Sequence, residues 1–261
     1  MCYRPSSDLT MIDLKQGDAQ QLLKEVPDHS VNLILSDPPY GITAAGNKWD
    51  KPLNWSALWP ELKRVLAPKG AIALFSSSKF TFELVASNLK DFRYKYVWVK
   101  NLPSGHLNAG RMPMRMYEEI NIFYPKQCAY YPQRSTGHPT CGQIWGGVRH
   151  YGQRAYHNDY RTDWDGRDGT RSPKDVLNFD AVHNTKKLHQ SEKPVPLLEH
   201  LIKTYTVEGQ TVLDFCMGSG STGLAAMNTK RSFIGFELDT HFFEVAAKRI
   251  EGASKQRQQA S

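Results

Sequence analysis

Two short apolar runs, with a helical pattern between them, constrain the fold of this chain more than any other feature. Residues 31–35 and 71–75 are almost continuously apolar, which is typical of strands buried on both faces of a parallel sheet. Between them, apolar residues recur at helical spacing, at Trp55, Leu58, Trp59, Leu62 and Val65. This is the pattern of a βαβ unit, so we expect an α/β fold with a doubly wound, mostly parallel sheet.

The same alternation continues on both sides of a long irregular segment. Residues 94–100 and 119–124 are predicted to be later strands that form an antiparallel pair at one edge of the sheet. After the irregular segment, the pattern predicts a helix (195–205), a strand (211–215), a helix (224–227) and a strand (233–236). The tail 252–261 is rich in Gln, Ser and Lys and is expected to be frayed.

The irregular segment, residues 126–190, has no apolar periodicity and is rich in Gly, Tyr, Trp, His and Arg. Segments of this length are usually functional or disordered, and the aromatic residues argue against disorder. We therefore predict one domain in two halves, 8–125 and 191–251, interrupted by an insertion at 126–190 and followed by a tail at 252–261. The chain has 33 basic and 26 acidic residues, a net charge of +7, which favours a nucleic-acid partner without proving one.

The four cysteines are not arranged as a disulfide scaffold or a Cys-x-x-Cys pair, which favours a reducing cytoplasm. Together, Cys128, His138, Cys141 and His150 could in principle bind zinc, but their spacing matches no structural zinc pattern and we expect no metal. The first residues lack the apolar core of a signal peptide, and no run of 18 apolar residues occurs. A soluble, cytoplasmic protein is expected.

The tetrapeptide Asp37-Pro38-Pro39-Tyr40 follows the first predicted buried strand directly. Two prolines stiffen the turn and remove two backbone donors, so the Asp37 carboxylate and the Pro38 carbonyl form a rigid pair of acceptors. An amino group on a nucleobase can donate one hydrogen bond to each, while the ring of Tyr40 stacks on the base. The alternative is a plain Pro-Pro turn with a surface tyrosine.

A second motif lies at 211–223, where a buried strand leads through a glycine turn into a helix. Glycines let the backbone approach a ligand, and Glu237, after the next strand, can bind two ribose hydroxyls, so the pattern predicts a nucleoside pocket. Since Gly218, Gly220 and Gly223 also fit G-x-G-x-x-G, a dinucleotide site is the competing interpretation. Asp214 disfavours it, because a carboxylate there would repel a pyrophosphate but suits a methionine ammonium or a sulfonium.

Taken in order, these motifs resemble the beta class of the DNA amino-methyltransferases, with the tetrapeptide first, the variable segment next and the cofactor loop last. The resemblance covers most of the chain and includes 17–19, 37–40, 70–75, 98–101, 189–194, 214–222 and 235–239. The chain departs from the family at Cys216, where Phe is usual, and at Gln190, where Pro is common. The resemblance implies a circularly permuted sheet of the S-adenosylmethionine-dependent methyltransferase type with an inserted target-recognition segment.

The resemblance also implies roles for individual residues. Asp37, Pro38, Pro39 and Tyr40 would be catalytic. The S-adenosylmethionine pocket would be lined by Asp18, Ser191, Lys193, Asp214, Phe215, Gly218, Gly220, Thr222 and Glu237. Lys193 and Asp18 could instead be ordinary solvated charges. The insertion would read the DNA, through Arg134, Arg149, Arg154, Arg161, Arg167 and Arg171, unless it is a solvated loop or a dimer arm.

The expected activity is methylation of an exocyclic amino group in duplex DNA, after the base is flipped out of the stack. Asp at position 37 resembles the adenine enzymes, whereas cytosine enzymes more often carry Ser, so adenine is the expected base and cytosine the alternative. More distant alternatives are a nucleotide-binding oxidoreductase and a non-catalytic DNA-binding module. The resemblance further implies a restriction-modification setting, and together with the aromatic-rich insertion it suggests a homodimer.

Overall fold

The computed structural model describes residues 10–41, 52–136, 170–183, 185, 187–189 and 191–260, apart from the side chains of 255–260. These residues divide into a larger unit, formed by the described parts of 1–131 and 175–261, and a smaller unit within 132–174. The predicted insertion is thus longer than the separate unit, because residues 126–131 and 175–190 belong to the larger one.

Ten strands are described. They are β1 (Ile12–Gln16), β2 (Val31–Ser36), β3 (Leu66–Ser76), β4 (Phe92–Ser104), β5 (Arg115–Phe123), β6 (Ser135–Thr136), β7 (Thr170–Arg171), β8 (Val176–Asn178), β9 (Thr211–Asp214) and β10 (Ser232–Glu237). In the larger unit, eight of them form one sheet in the order β1-β10-β9-β2-β3-β5-β4-β8. In the smaller unit, β6 and β7 pair antiparallel.

The first five strands of this order are parallel, which confirms the predicted parallel core. Strand β1 pairs with β10, so the first of the described strands lies beside the last of them, as a permuted sheet requires. The predicted antiparallel pair is β4 and β5, but it is not at the edge. Strand β8, from the predicted insertion, pairs with β4 and covers it, and its three residues are too short for a periodicity signal.

Six α-helices are described: α1 (Ala19–Leu22), α2 (Trp55–Val65), α3 (Lys79–Ser87), α4 (Val195–Tyr205), α5 (Ser221–Asn228) and α6 (Thr240–Ala260), with 3₁₀ turns at Leu23–Glu25 and His106–Asn108. Within the described part of the chain, no helix is long and apolar enough to cross a membrane. The tail predicted to be frayed is instead helical to Ala260, since its Ala, Lys, Arg and Gln residues are good helix formers.

Helices cover both faces of the sheet. Along β2, Leu33 and Leu35 pack with apolar residues of α4, α5 and α6, whereas Ile34 packs with those of α1, α2 and α3. This two-sided burial explains why residues 31–35 read as a continuous apolar run rather than an alternating one. Because β2 and β9 are neighbours, the segments that follow them leave the same edge of the sheet side by side.

Candidate functional site

A cavity of about 760 Å³ lies at the carboxyl ends of the parallel strands β1, β2, β9 and β10. The segments that follow β1 and β2 contribute 17–20 and 37–40. The last residues of β9 and β10 and the segments after them contribute 214–219, Ser221, Thr222 and 237–240. The rest of the lining is 52–54, His189, 191–193, Leu198 and Phe242. A cavity of this size suits a ligand as large as a nucleoside derivative. The crevice is where a doubly wound sheet binds its ligands.

All of the predicted catalytic and cofactor residues except Gly220 line this cavity. Gly220 caps the N-terminus of α5 with a φ of +77°, a left-handed conformation that favours glycine. A Cβ atom there would lie 3.0 Å from the Cβ atom of Ala246 on α6. Gly220 therefore allows the turn and the close packing of α5 on α6, and the prediction that it lines the pocket differs from what the structure shows.

Glu237 connects the two loops that follow β9 and β10. Its carboxylate accepts hydrogen bonds from the backbone N–H groups of Gly218, at 2.8 Å, and Asp239, at 2.9 Å. Gly218 has a φ of +51°, so the loop turns there in a conformation that glycine adopts readily. Burial raises the pKa of the Glu237 carboxyl above its usual value, although the backbone hydrogen bonds oppose this.

Asp214, at the end of β9, is buried and bonded on both oxygens. Its Oδ1 atom accepts from the Ser36 hydroxyl at 2.6 Å and from the Cys216 N–H at 3.1 Å, and its Oδ2 atom accepts from the Thr222 hydroxyl at 2.6 Å. Burial raises the pKa of the Asp214 carboxyl to about 6, against the opposing effect of these hydrogen bonds. Asp214 thus holds the glycine loop to β2 and α5 besides facing the cavity.

The raised pKa of Asp214 makes a testable prediction about stability. The folded chain binds the Asp214 proton more tightly than the unfolded chain, where the pKa is 3.8, so this group destabilises the fold as the pH rises from about 4 to about 6. The cost reaches roughly 3 kcal/mol above that window. In Asp214→Asn, which keeps the shape without the charge, the free energy of unfolding relative to wild type should therefore increase with pH. Urea titrations of both proteins, without ligand, measure it; a difference independent of pH would contradict the assignment.

Asp18 has a local role as well as a place in the lining. Its Oδ1 atom accepts from the N–H groups of Gln20, at 2.9 Å, and Gln21, at 3.2 Å, and so caps the N-terminus of α1. The cap fixes the turn between β1 and α1 at the rim of the cavity. Asp18 is therefore positioned by its own helix.

The tetrapeptide after β2 is tied together by a hydrogen bond of 2.6 Å from the Tyr40 hydroxyl to Asp37 Oδ1. The ring of Tyr40 stacks on Phe80 of α3, with centroids 4.8 Å apart and an angle of 19° between the planes. One face of Tyr40 is thus covered by the protein. Burial raises the pKa of the Asp37 carboxyl, although Lys193 opposes this.

Lys193 lies in the lining, as predicted, but its ammonium contacts the tetrapeptide. It donates to Asp37 Oδ2 and, at 3.2 Å, to the Ser191 carbonyl, and it pairs with Glu118 Oε2 at 3.3 Å. Burial lowers the pKa of Lys193, but Asp37 and Glu118 outweigh burial and hold it above its usual value. Lys193 is therefore a buried cation between two carboxylates.

Sequence reasoning missed Glu192 and its partner Arg249. The Glu192 carboxylate accepts from the Leu188 N–H at 2.7 Å and pairs with Arg249 of α6 at 2.9 Å. These contacts connect the segment before α4 with α6. Glu192 belongs to the quoted 189–194 segment, but Arg249 lies in a stretch with no motif, so only the fold could reveal the pair.

The lining is strongly acidic. Its carboxylates are Asp18, Asp37, Glu192, Asp214, Glu237 and Asp239, whereas Lys193 is the one Lys or Arg among the lining residues described. Such a lining attracts a cationic ligand and repels a pyrophosphate. It therefore favours the sulfonium interpretation over the dinucleotide one.

Two arginines of the predicted recognition segment are described, Arg134 and Arg171, and both are exposed. In the smaller unit, Arg134 directly precedes β6 and Arg171 belongs to β7. Arg149, Arg154, Arg161 and Arg167 lie outside the described residues, as do His138, Cys141 and His150 of the zinc alternative.

Comparison with known proteins identifies relatives across most of the chain. Residues 31–248 match a family model of the N6/N4 type whose description is DNA methylase. The Type II methyltransferase M.HpaI from Haemophilus parainfluenzae is 26% identical over 248 residues, covering 90% of this chain and 73% of that protein.

Among solved structures, the M1.HpyAVI complex with SAM has a TM-score of 0.60 at 22% identity, covering 92% of this chain and 100% of that one. The PvuII DNA methyltransferase, described as cytosine-N4-specific, has a TM-score of 0.63 at 16% identity, covering 94% and 90%. At these identities the two structures show a shared fold, which confirms the predicted methyltransferase-type sheet.

Proposed function

The chain belongs to the DNA methylase family that its residues 31–248 match, and from that premise we propose that it transfers a methyl group from S-adenosylmethionine to the exocyclic amino group of adenine in duplex DNA. The observation that carries this proposal is the single cavity in which the Asp37 tetrapeptide and the glycine loop of Gly218 meet. One segment supplies acceptors for an amino group, and the other a pocket for a nucleoside. Each is needed for the reaction, and neither is sufficient.

The residues of the cavity fit S-adenosylmethionine, which supplies an electrophilic methyl group on a positively charged sulfur when it is bound. The acidic lining suits its two cationic groups, the sulfonium and the ammonium. Glu237, which is held by the N–H groups of Gly218 and Asp239, would bind the ribose hydroxyls. The rest of the cofactor would be surrounded by the other predicted residues of the lining, Asp18, Ser191, Lys193, Asp214, Phe215, Gly218 and Thr222. Lys193 stands apart in this set, because its ammonium is already paired with Asp37.

Asp37 and the Pro38 carbonyl would accept the two hydrogen bonds of the target amino group. The amino nitrogen of a base is a poor nucleophile because its lone pair is delocalised into the ring. Two acceptors hold the group in the pyramidal geometry that frees the lone pair, and the Asp37 carboxylate stabilises the positive charge that develops on nitrogen. Since Tyr40 is held by Asp37 and Phe80, its remaining ring face would stack on the flipped base.

Direct transfer requires no covalent enzyme intermediate, and the chemistry of Cys216 supports this. Burial, with the nearby carboxylates of Asp214 and Glu237, raises the pKa of the Cys216 thiol well above its usual value. The thiol therefore stays protonated and is a poor nucleophile. We interpret Cys216 as a packed residue of the glycine loop.

The choice of adenine rests on Asp37, because Asp at this position of the tetrapeptide resembles the adenine enzymes of the family. A cytosine amino group would meet the same two acceptors, which makes cytosine the second candidate. The deciding experiment expresses the protein in a host that lacks DNA methylation and sequences the DNA for modified bases. Methyladenine at one sequence supports the proposal, methylated cytosine amino groups support the second candidate, and no modification with S-adenosylmethionine bound contradicts both.

Recognition of the DNA sequence is assigned to the segment 126–190, which supplies Arg134 and Arg171 among the described residues. We expect single replacements by Ala to divide the six arginines into base readers, worth about 1–3 kcal/mol of discrimination each, and phosphate contacts, which reduce the salt dependence instead. Methylation of a randomised DNA library, with binding measured over a range of salt, separates the two groups. Arg111, on the exposed turn between β4 and β5, is the comparison. If only the replacement of Arg111 relaxes sequence choice, recognition lies in that turn.

The homodimer is also a prediction. Light scattering, with and without DNA, measures the mass of the particle in solution, and a monomeric mass would contradict it.

A further inference from the structure

Four charged side chains, two buried lysines and two partly buried carboxylates, form a continuous chain that ends at Asp37. Lys100 of β4 donates to Glu118 Oε1 of β5 at 3.0 Å, and Glu118 Oε2 pairs with Lys193 at 3.3 Å. Lys193 in turn donates to Asp37 Oδ2. Lys100 and Lys193 are exposed by only 7% and 8%, so neither ammonium is solvated like a surface lysine.

The charges of this chain compensate one another. Two ammonium groups alternate with two carboxylates, and the burial of any one of these charges without its neighbours would be costly. Burial alone raises the pKa of the Glu118 carboxyl, but Lys193 and Lys100 outweigh burial and hold it below its usual value. Glu118 thus stays ionised between two lysines.

Only one half of the chain reaches the cavity. Asp37 and Lys193 line it, whereas Lys100 and Glu118 are not among the lining residues. Strands β4 and β5 therefore contribute to the site through residues that contact its lining but do not belong to it. The 9% exposed side chain of Lys193 has three other neighbours, the Ser191 carbonyl, Glu118 and the ring of Phe75 at 5.0 Å, which leave its ammonium little freedom.

We infer that Glu118 and Lys100 are positioning residues, which act through Lys193 to fix the Asp37 carboxylate for the amino group of the target base. The role of Asp37 in methyl transfer rests on the proposed function, whereas the effect of Lys193 and Glu118 on the Asp37 carboxylate does not. Lys193 anchors one carboxylate oxygen, Tyr40 the other, and Glu118 prevents Lys193 from neutralising Asp37 completely. Lys100 pairs with the same Glu118 carboxylate and so weakens the attraction of Glu118 for Lys193, which leaves Lys193 close to Asp37.

In this arrangement Lys193 and Glu118 act on the pKa of the Asp37 carboxyl in opposite directions. The groups that bear on Asp37 are Tyr40 and Lys193, which hydrogen-bond to it, and Glu118, with Asp214 and Cys216 nearby. Lys193 lowers the pKa of Asp37, and Glu118 raises it. Removing Lys193 should therefore keep Asp37 protonated to a higher pH, whereas removing Glu118 should let it ionise at a lower pH.

The test is the titration of Asp37 itself, in protein that holds neither cofactor nor DNA. Carbon NMR of protein labelled at the aspartate carboxyls, assigned with Asp37→Asn, follows this group in wild type, Lys193→Gln, Glu118→Gln and Lys100→Met. We expect the midpoint to move up in Lys193→Gln, down in Glu118→Gln and up by a smaller amount in Lys100→Met. If Lys193→Gln does not fold, Lys193→Arg, which keeps the charge, should stay close to wild type.

Single-turnover methylation over a range of pH is measured on the same proteins. The acid limb of the rate should move in the same directions, and Glu118→Gln should lower the rate by about ten- to a hundredfold through misplacement of Asp37. The matched control is Glu119→Gln, the adjacent residue on β5, whose carboxylate pairs with Lys95 away from the cavity. It should leave both the titration and the rate near wild type.

Two results would overturn the inference. One is an Asp37 titration that does not move, or moves in the same direction, in Lys193→Gln and Glu118→Gln. The other is a rate in Glu118→Gln no lower than that in Glu119→Gln. Failure of the proposed function would look different, because the Asp37 titration would respond as expected while no DNA was methylated by any of the proteins.

Discussion

Asp37→Ala is expected to abolish methylation while S-adenosylmethionine and DNA still bind. The substitution removes the carboxylate that would accept the target amino group, and with it the acceptor for the Tyr40 hydroxyl and the partner of Lys193. Loss of one preorganised group facing the charge that develops in the transition state costs about a hundred- to a thousandfold in rate, and here the amino group also loses its orientation. Single-turnover methylation with saturating cofactor and DNA measures the effect.

The milder variant Asp37→Asn separates charge from shape. Asn keeps an oxygen for the Tyr40 hydroxyl but presents no negative charge to Lys193 or to the developing positive charge. We expect it to be nearly as inactive as Asp37→Ala, with calorimetric cofactor affinity close to wild type in both. Methylation by either variant at the wild-type rate would show that another group accepts the amino hydrogens.

The buried sheet was predictable because its signal is local. Residues 31–35 and 71–75 are covered by helices on both faces, and such strands need no partner information to be recognised. The rule that doubly wound sheets bind ligands beyond the carboxyl ends of their strands indicated where the motifs at 37–40 and 214–222 should lie. The structure adds that β2 and β9 are neighbours, which brings the two motifs together. Of the catalytic and cofactor residues that the motifs named, all but Gly220 line the cavity.

The parts that sequence could not supply depend on contacts between distant residues. Lys193 was predicted to face the cofactor, but its ammonium pairs with Asp37, 156 positions away in the sequence, and with Glu118. Nothing in the apolar pattern around Glu118 distinguishes it from Glu119, which pairs with Lys95 instead. Gly220 matched a glycine motif, yet its place is decided by the packing of Ala246. In each case the partner is known only once the strands and helices are assembled.

Glu237→Ala is expected to weaken S-adenosylmethionine binding by roughly a hundredfold or more, since two charge-assisted hydrogen bonds to the ribose are worth about 1.5–3 kcal/mol each. Calorimetry with the cofactor measures the loss. The same substitution also removes the acceptor for the Gly218 and Asp239 N–H groups, so a loosened loop could weaken binding without any contact to the ribose. A change in the ligand, rather than a further change in the protein, can separate loss of the ribose contact from loosening of the loop.

An analogue of the cofactor without the ribose hydroxyls supplies that separation. If Glu237 binds the hydroxyls, wild type should bind the analogue about as weakly as Glu237→Ala binds the natural cofactor, and Glu237→Ala should bind both ligands alike. If Glu237 acts only by holding Gly218 and Asp239, Glu237→Ala should lower the affinity for the cofactor and for the analogue by the same factor. Glu237→Gln, which keeps the length and one acceptor oxygen, should fall between wild type and Glu237→Ala for the natural cofactor, because a neutral acceptor forms the weaker hydrogen bond. Equal factors for both ligands would remove Glu237 from the proposed ribose site and leave it the role of shaping the loop.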